Sequence, residues 1–402
     1  VMIVLLLLGF PMMIPLIIGA FIGFYSLFGG FGQLETMIQQ MLAGIRPASL
    51  IAVPMFIFAA DIMTRGQSAN RLIDLVMSFV VHVTGGLAVS TAAACTMFGA
   101  VSGSTQATVV AIGSPLRPRM LKAGYKDSFV LALIVNASDI AFLIPPSIGM
   151  IIYGVVSNTS ISELFIAGVG PGILICISLL LLNYVLARRE AIETVPFQGV
   201  GEIGRTFKAA IRPLLMPVII LSGIYGGVFT PTEAAVVAVA YGLIIGLIFQ
   251  ELTLAGLYRA FGRAVISSAV VMFIMNAAGV FAWLITINQI PQSISATLAD
   301  TAGSQIVYLL FVNLFLLFVG CLMNAAAAIV IFTSILYPAA MSFGVDPVLF
   351  GIIVAVNLSI GTVTPPLGVD LFIASAITKV SIERIVVAIW PYILVLVIDL
   401  LL

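Results

Sequence analysis

The sequence predicts an all-α polytopic membrane protein, built as an inverted repeat with two re-entrant helical hairpins and two discontinuous helices. Hydrophobic residues make up 62% of the 402 residues and charged residues only 8%, whereas soluble domains carry about 25% charged residues. A proline pair interrupts an apolar run in each half of the chain, at Pro145-Pro146 and at Pro365-Pro366. A helix broken in this way persists in a lipid bilayer only where protein or water satisfies the freed carbonyl groups.

The lengths of the apolar segments predict the order of membrane crossings, since one crossing needs about 20 apolar residues. The predicted crossings are 1–30, 48–64, 126–157, 164–187, 213–230, 232–249, 264–287, 348–377 and 384–402. Two further blocks, 85–118 and 304–342, are too long for one crossing and contain polar or small residues near their middles. We predict that each block is a hairpin that enters and leaves on one side. The more polar segments 66–84 and 288–303 are predicted to lie along the interface.

The basic residues predict the orientation, because Lys and Arg collect on the cytoplasmic side of a membrane. With the N-terminus in the cytoplasm and both long blocks counted as hairpins, fifteen of the sixteen basic residues fall inside. Arg46 is the one that falls outside. Counting either block as a single crossing would destroy this bias, so the charges favour the hairpin interpretation.

The two halves of the chain share a pattern of prolines and glycines at a spacing of 220 or 221 residues, as in Pro118 and Pro338. Five predicted crossings lie between Pro11 and its counterpart Pro231, and because this number is odd the second half is predicted to be inverted in the membrane. The predicted repeats are 1–187 and 231–402. A cytoplasmic linker and a connecting helix, at 188–230, join them.

The hairpin tips and the helix breaks carry the polar residues from which a site could be built. Their hydroxyl, amide and carbonyl oxygens are hard, neutral ligands, which suit a desolvated alkali cation and above all Na⁺. The helix N-termini at the tips and after each proline pair would attract an anionic substrate. These candidate residues are Ser102, Gly103, Ser104 and Thr105 in the first tip, Gly320 and Asn324 in the second, Asn136, Ser138 and Ser147 at the first break, and Asn357, Ser359, Gly361, Thr362 and Thr364 at the second.

Few charged residues lie within the apolar segments. Asp139 and Asp370 flank the two breaks, and the sequence leaves open whether each belongs to a site or is a structural partner. Asp61 is expected to pair with Arg65 at the interface. The sequence has no phosphate-binding GxxxxGK[ST] motif. We therefore expect transport driven by an ion gradient, not an enzymatic activity, and the zero net charge gives no indication of nucleic-acid binding.

Three segments resemble one family, the large membrane subunit of TRAP (tripartite ATP-independent periplasmic) transporters. They read VSGSTQATVVAIGSPLRPRMLKAGY, LIPPSIGMIIYG and SISELFIAGVGPGIL, and the resemblance extends over essentially the whole chain. It implies an elevator-type, Na⁺-coupled importer of an organic acid in the bacterial inner membrane. It also implies two partners, a small four-helix membrane subunit and a soluble periplasmic protein that delivers the substrate. The detailed sequence is most similar to the sialic-acid branch, with a C4-dicarboxylate as the alternative substrate.

The resemblance also implies roles for residues of this chain. Many relatives have a carboxylate where this chain has Asn324, which leaves a charge-coupling role at that position in doubt. The implied Na⁺ ligands are Ser102, Gly103 and Pro145 in the first half and Gly320, Asn324, Thr362, Thr364 and Pro365 in the second, with Asn136 as a further candidate at the first break. The candidate substrate-binding residues are Ser104, Thr105, Pro146, Ser147, Asn324 and Asp370.

Two other functions compete with this interpretation. A stand-alone ion antiporter or anion channel would need no delivery protein, and the sequence separates it only weakly through its lack of a strong buried charge. A scaffold or assembly protein would give no reason for two broken helices at matching positions. Uptake measured with and without Na⁺, and with and without a binding protein, separates the three.

Overall fold

The computed structural model describes residues 4–5, 10, 13–30, 34–65, 67–189, 197, 199–294 and 303–402. Within these ranges the chain forms helices, turns and loops, and no strand. Seven of the described helices are long and apolar enough to cross a membrane. The protein is therefore an all-α polytopic membrane protein, as the sequence predicts.

The first half contains nine helices whose bounds the structure gives, together with two short 3₁₀ turns. The α-helices are α1 (Met13–Phe28), α2 (Leu34–Ala43), α3 (Ala52–Arg65), α4 (Ser68–Val80), α5 (Gly86–Ser102), α6 (Thr105–Lys122), α7 (Asp127–Ser138), α8 (Ile148–Ser157) and α9 (Ile161–Arg189). The 3₁₀ turns are Ala48–Ile51 and Asp139–Phe142. The predicted crossing 48–64 continues back into α2 across a bend of 63°.

The connecting region is more helical than its polar composition indicates. It comprises α10 (Val200–Tyr225), α11 (Pro231–Ile248) and α12 (Leu254–Ile287). Helix α10 begins inside the segment predicted as a linker, because it buries Thr206 and Ala210 while its polar side chains face outward. Helix α12 begins ten residues before the predicted crossing, and the Thr253 side chain caps it by accepting from the Gly256 N–H at 3.0 Å.

The second half repeats the helical pattern of the first. Its helices are α13 (Gln305–Leu322), α14 (Ala325–Ser342), α15 (Pro347–Val363), α16 (Val369–Thr378) and α17 (Ile382–Leu401). Helices α6 and α14 each have 18 residues, and α8 and α16 each have 10. The segment 288–303, which is predicted to lie along the interface, includes residues 295–302, which lie outside the described part of the chain. The repeat boundaries and the inverted orientation of the halves stay predictions.

Both predicted hairpins are pairs of helices joined by short turns, and both proline pairs interrupt a helix. Helices α5 and α6 pack on each other, as do α13 and α14. The proline pairs lie in the gaps between α7 and α8 and between α15 and α16, each with a cis peptide bond. Helix α14 also packs on α8, and α16 packs on α6. Each hairpin thus contacts the broken helix of the other half, which joins the four pieces to one another.

The burial pattern separates this centre from the periphery. In α7 every residue from Val130 to Ser138 is buried, and α15 is buried nearly throughout its last ten residues. The outer helices α9 and α17 instead expose large apolar side chains, such as Leu181, Val387 and Trp390. Exposed apolar faces of this extent suit a lipid environment. Helices α7 and α15 are therefore shielded from lipid by the helices around them, whereas α16 exposes Phe372 and Ile377.

Candidate functional site

The first hairpin tip is held against the first proline pair. Helix α5 ends at Ser102, and Gly103 adopts φ 61° before α6 begins. A Cβ added at Gly103 would lie 2.2 Å from the Pro146 carbonyl oxygen, so only glycine fits both the backbone angle and the close approach. The Ile148 N–H points at the Gly103 carbonyl at 3.5 Å. The tip and the break therefore form one packed unit.

Hydroxyl groups occupy the inside of this first tip. The Ser102 hydroxyl is completely buried and lies 3.0 Å from the Thr108 hydroxyl. The Thr108 hydroxyl donates to the Ser104 carbonyl at 2.9 Å. Ser104 is also the N-cap of α6, where its side chain accepts from the Ala107 N–H. The tip therefore offers several oxygen atoms within one turn of chain, next to the positive end of a helix dipole.

The second tip is built differently from the first. Helix α14 begins after Asn324, whose side-chain oxygen accepts from the Ala326 N–H at 2.9 Å. The tip is tied to the second break by the Leu367 N–H, which donates to the Cys321 carbonyl at 3.0 Å. Beyond Asn324 the tip has alanines where the first tip has hydroxyl groups. The side-chain oxygens of the two tips are therefore not equivalent.

Close backbone contact joins the second tip to α15. A Cβ added at Gly361 would lie 2.4 Å from the Gly320 Cα, and one added at Gly320 would lie 3.0 Å from the Gly361 Cα. Small residues allow helices in membranes to approach in this way. Gly320 thus has a packing role, which is possible because glycine has no side chain. The resemblance also predicts Gly320 to be a Na⁺ ligand.

The two breaks meet in a buried cluster of Asp139, Thr362 and Asp370. The Thr362 hydroxyl lies 3.2 Å from Asp139 Oδ1 and 3.2 Å from Asp370 Oδ2, and also 2.8 Å from the Ser359 carbonyl oxygen. One hydroxyl proton cannot serve three acceptors. Asp139 Oδ2 and Asp370 Oδ1 have no hydrogen-bond partner within the described chain. A buried carboxylate oxygen without a partner is costly, and a hard cation is the kind of ligand that would satisfy it.

One asparagine lies near each break in a matching environment. Asn136 and Asn357 are completely buried, and each donates from Nδ2 to the carbonyl one turn earlier at 2.8 Å. Asn357 also donates to Asn313 Oδ1 at 2.6 Å. The Oδ1 atoms of Asn136 and Asn357 have no hydrogen-bond partner within the described chain. Each half thus keeps one buried amide oxygen available beside its break.

A cavity of about 620 Å³ opens between the two tips. Of the predicted site residues, the cavity wall includes Ser102, Gly103, Ser104, Thr105, Asn324 and Thr362. It also includes Gln106, Phe142 and Ala325. The two tips, predicted from segments more than 200 residues apart in the sequence, therefore line the same space. The volume is within the range of about 300–1,000 Å³ that small-molecule sites occupy.

The other predicted site residues lie behind the cavity wall. Ser147 donates to the Phe142 carbonyl at 2.6 Å and caps α8, and Thr364 donates to the Ile360 carbonyl at 2.6 Å. Asp370 is completely buried. The predicted residues that do not line the cavity are Asn136, Pro145, Pro146, Ser147, Gly320, Thr364, Pro365 and Asp370. They lie at or beside the tips and breaks. Pro146, Ser147 and Asp370 could therefore bind the substrate only if the cavity extended to reach them.

Two charged residues of the cavity wall were not predicted from the sequence to be site residues. Asp61 of α3 and Arg263 of α12 both line the cavity, and Arg263 Nη2 donates to Asp61 Oδ1 at 2.5 Å. The predicted pairing of Asp61 with Arg65 stays a prediction, because the Arg65 side chain lies outside the described part of the structure; the ion pair with Arg263 joins residues 202 positions apart. Nothing local in the apolar sequence of α12 marks Arg263 as a site residue.

Comparison with known proteins decides the family. Residues 1–402 match the family model of the tripartite ATP-independent periplasmic transporter, DctM component. The chain belongs to this family. It is thus a TRAP transporter large permease and not an enzyme, as the motifs of the first tip and first break indicate.

The relatives differ in the substrate that their names give. The chain is 58% identical to the ectoine/5-hydroxyectoine TRAP transporter large permease protein UehC of Ruegeria pomeroyi, over 98% of this chain and 92% of that protein. It is 53% identical to the ectoine TRAP transporter large permease protein TeaC of Halomonas elongata, over 98% and 93%. It is 36% identical to the sialic acid TRAP transporter large permease protein SiaM of Vibrio cholerae, over 88% and 83%. These identities do not support the sialic-acid branch that the sequence analysis favoured.

Among solved structures, the fold is similar to that of the YdaH transporter of Alcanivorax borkumensis. The TM-score is 0.66 at 16% sequence identity, and the match covers 93% of this chain and 87% of that one. At this identity the similarity concerns the fold alone. It agrees with the prediction of a membrane transporter fold.

Proposed function

We propose that this TRAP large permease imports ectoine or a closely related small zwitterionic acid across the bacterial inner membrane, coupled to Na⁺. The observation that carries the substrate is the identity of 58% and 53%, over nearly the whole chain, to two permeases named for ectoine. Ectoine joins one carboxylate to a cyclic amidinium. The proposal keeps the organic acid expected from the sequence and replaces the sialic acid.

The cavity between the tips supports a small acid as the substrate. Helices α6 and α14 both begin at its wall, at Thr105 and Ala325. Helix N-termini favour negatively charged groups. Ser104, Thr105 and Asn324 are the substrate-binding candidates that the wall contains. A carboxylate near them would be favoured by two helix dipoles at once.

Na⁺ is proposed as the co-transported ion because the residues beside the tips and breaks fit a hard cation. Four buried oxygen atoms there, on Asn136, Asp139, Asn357 and Asp370, have no hydrogen-bond partner within the described chain. The His, Cys, Asp and Glu side chains that the structure describes form no group of three that would favour a transition metal. The proposed ligands are Ser102, Gly103, Asn136 and Pro145 in the first half and Gly320, Asn324, Thr362, Thr364 and Pro365 in the second.

An elevator mechanism is supported by the way in which the tips and breaks are tied together. Gly103 contacts Pro146, Gly320 contacts Gly361, and the cluster around Thr362 joins the two breaks. Four pieces connected in this way would move as one body and carry the site with them. With the N-terminus in the cytoplasm, Arg263 is predicted to lie on the cytoplasmic side of the membrane. The cavity that Arg263 lines would therefore open toward the cytoplasm.

The proposal includes both partners that the resemblance implies. A small four-helix membrane subunit would assemble with this chain in the bilayer, and a soluble periplasmic protein would deliver the substrate. The test is uptake of radiolabelled ectoine into proteoliposomes that contain this chain with its small subunit. Uptake should require both an inward Na⁺ gradient and the added binding protein.

The controls separate the alternatives. Labelled succinate and labelled sialic acid are offered to the same liposomes, each with its own binding protein omitted and supplied. Uptake of succinate in preference to ectoine would replace the substrate proposal with a C4-dicarboxylate importer. Uptake of ectoine at the same rate without Na⁺ or without the binding protein would instead favour a stand-alone transporter.

A further inference from the structure

Phe142 carries the only aromatic ring on the part of the cavity wall that the structure describes. It is the last residue of the 3₁₀ turn at the first break, and its side chain is half-buried against the core. The sequence analysis gave it no role. The two hairpin tips line the same cavity, so a substrate held at Ser104 or Asn324 would share its space with this ring.

The ring is held in place by a neighbour that has no side chain. A Cβ added at Gly149 would lie 2.2 Å from Phe142 Cζ and 2.4 Å from Phe142 Cε1, so the far end of the ring packs on the Gly149 backbone. The Phe142 carbonyl is fixed as well, because it accepts from the Ser147 hydroxyl at 2.6 Å. Gly149 also lines the cavity. Phe142 is thus held at the wall by its neighbours, as a binding residue needs to be.

The electrostatics of the wall favour a cation at this ring. The face of an aromatic ring carries partial negative charge and attracts ligand cations. Asp61, the one carboxylate on the described wall, already accepts a hydrogen bond from Arg263. The ring also packs on the first turn of α8, whose dipole would otherwise disfavour a cation there.

The two ends of the cavity therefore suit opposite charges. The N-termini of α6 and α14 at the tips favour a carboxylate, and the ring at the first break favours a cation. A zwitterion can satisfy both at once. A dicarboxylate that placed one carboxylate at the tips would bring its second carboxylate toward the negative face of the ring, which is unfavourable.

We propose that Phe142, seated on Gly149, forms a subsite for the planar cationic part of the substrate, the amidinium of an ectoine-type acid. The inference rests on the proposed function and deepens it, because it divides the cavity into an anion part at the tips and a cation part at the first break. Phe142 is then a specificity-determining residue, which favours a zwitterion over a C4-dicarboxylate.

The test measures binding of radiolabelled ectoine to the purified complex of this chain and its small subunit in lipid nanodiscs, so that no binding protein intervenes. Phe142→Leu keeps an apolar side chain and removes the ring, and it should weaken ectoine binding about 2-fold to 30-fold, as expected for losing a cation–π contact. The matched control is Phe129→Leu. It removes another half-buried ring of the first half, one that lies off the cavity wall, and it should bind ectoine as the wild type does.

A second variant moves the ring without deleting it. Gly149→Ala places a Cβ where the far end of the Phe142 ring lies, so the ring must shift. This variant should also weaken ectoine binding, and it keeps the proposal testable if Phe142→Leu does not fold. Its control is Gly170→Ala, in α9, where nothing lies within 4 Å of the added Cβ and ectoine binding should not change.

Competing probes separate recognition of the cation from an apolar or structural role. The probe 2-methyl-1,4,5,6-tetrahydropyrimidine carries only the amidinium, and cyclohexanecarboxylate joins a carboxylate to an apolar ring. Phe142→Leu should weaken competition by the first probe and leave competition by the second unchanged.

The outcomes distinguish the subsite from the proposed function. Unchanged ectoine affinity in Phe142→Leu, equal loss of competition by both probes, or an amidinium probe that does not compete in the wild type would overturn the subsite and leave the proposed function intact. A wild type that takes up succinate and neither binds nor takes up ectoine would overturn the proposed function, and the subsite with it.

Discussion

Replacing Gly103 with alanine tests whether the first tip must touch the first proline pair. The added Cβ would lie 2.2 Å from the Pro146 carbonyl oxygen, and real Cβ atoms essentially never come within 3.0 Å of another heavy atom. The tip and the break must therefore separate by about 0.8 Å, the difference between these two distances. Binding residues need to be held within about 0.5 Å of their productive positions. The expected result is a weakened Na⁺ and substrate site, not only a less stable protein.

The control is Gly124→Ala, in the turn between α6 and α7. Gly124 also has a positive φ, 93°, but nothing lies within 4 Å of its added Cβ. Both substitutions carry the strain of a left-handed L-residue, about 1–2 kcal/mol. Only Gly103→Ala adds the cost of overpacking, about 1–3 kcal/mol. The difference between the variants therefore isolates the contact with Pro146.

The measurements are the thermal stability of the purified complex and the Na⁺ concentration that gives half-maximal uptake. Gly124→Ala should lower the stability slightly and leave the Na⁺ dependence unchanged. Gly103→Ala should lower the stability further and raise the half-maximal Na⁺ concentration several-fold or abolish uptake. Equal Na⁺ dependence in the two variants would show that the tip does not need its seat on the first break.

The remaining predictions address the second half and the topology. Thr362→Val removes the hydroxyl between two carboxylates and should destabilise the protein and weaken the Na⁺ dependence of uptake. Its control, Thr333→Val, removes a buried hydroxyl without a described partner. In denaturation assays this control should be neutral or stabilising by about 1–3 kcal/mol. Asn324→Ala should lower the free energy of unfolding by about 0.5–2 kcal/mol through loss of the α14 cap, and it should abolish uptake. Asn324→Asp keeps the cap, so loss of uptake in this variant as well would show that uptake needs the neutral amide. Cysteines placed at Gly124 and Gly344, in a background without native cysteines, should react with impermeant reagents from opposite sides of the membrane, and reaction from one side alone would contradict the inverted layout.

Local chemistry explains why the hairpins and breaks could be predicted from the sequence. A proline pair cannot continue a helix, and Pro145-Pro146 and Pro365-Pro366 both lie in gaps between helices. The polar run around Gly103 marks the first turn, and the structure joins α5 to α6 through Gly103 and Ser104. Such features depend on neighbours within a few residues, so the sequence contains the information that decides them.

The contacts between distant segments could not be predicted in the same way. The sequence left Asp139 and Asp370 as separate candidates, and only packing shows that they share Thr362. The ion pair between Asp61 and Arg263 likewise joins residues 202 positions apart, and the sequence did not predict it. The spatial neighbours of a helix residue come from every helix that packs against its own. A single sequence does not specify which helices those are.

The sialic-acid substrate predicted from the sequence is not supported by the relatives, for a related reason. Two of the three segments that carry the family resemblance lie at the first tip and the first break, where they set the backbone geometry and supply oxygen atoms to the proposed Na⁺ site; the third lies at the start of α9. Residues with those roles are needed whatever acid is transported, so they do not discriminate between substrates.

The cluster at the centre gives a physical reason for coupling between the two halves. Asp139 belongs to the first break and Asp370 to the second, and the Thr362 hydroxyl lies at the same distance, 3.2 Å, from both. The Ser359 hydroxyl also donates to the Asp139 backbone carbonyl at 3.3 Å, so main chain and side chain of one break are both tied to the other. A cation bound at either break would change the charge felt by this cluster. Because the hydroxyl has a single proton to donate, its reorientation toward one carboxylate withdraws it from the other. On the proposed function, occupancy of one half would then alter the energy of the other half, which is what coupled transport of two ligands requires.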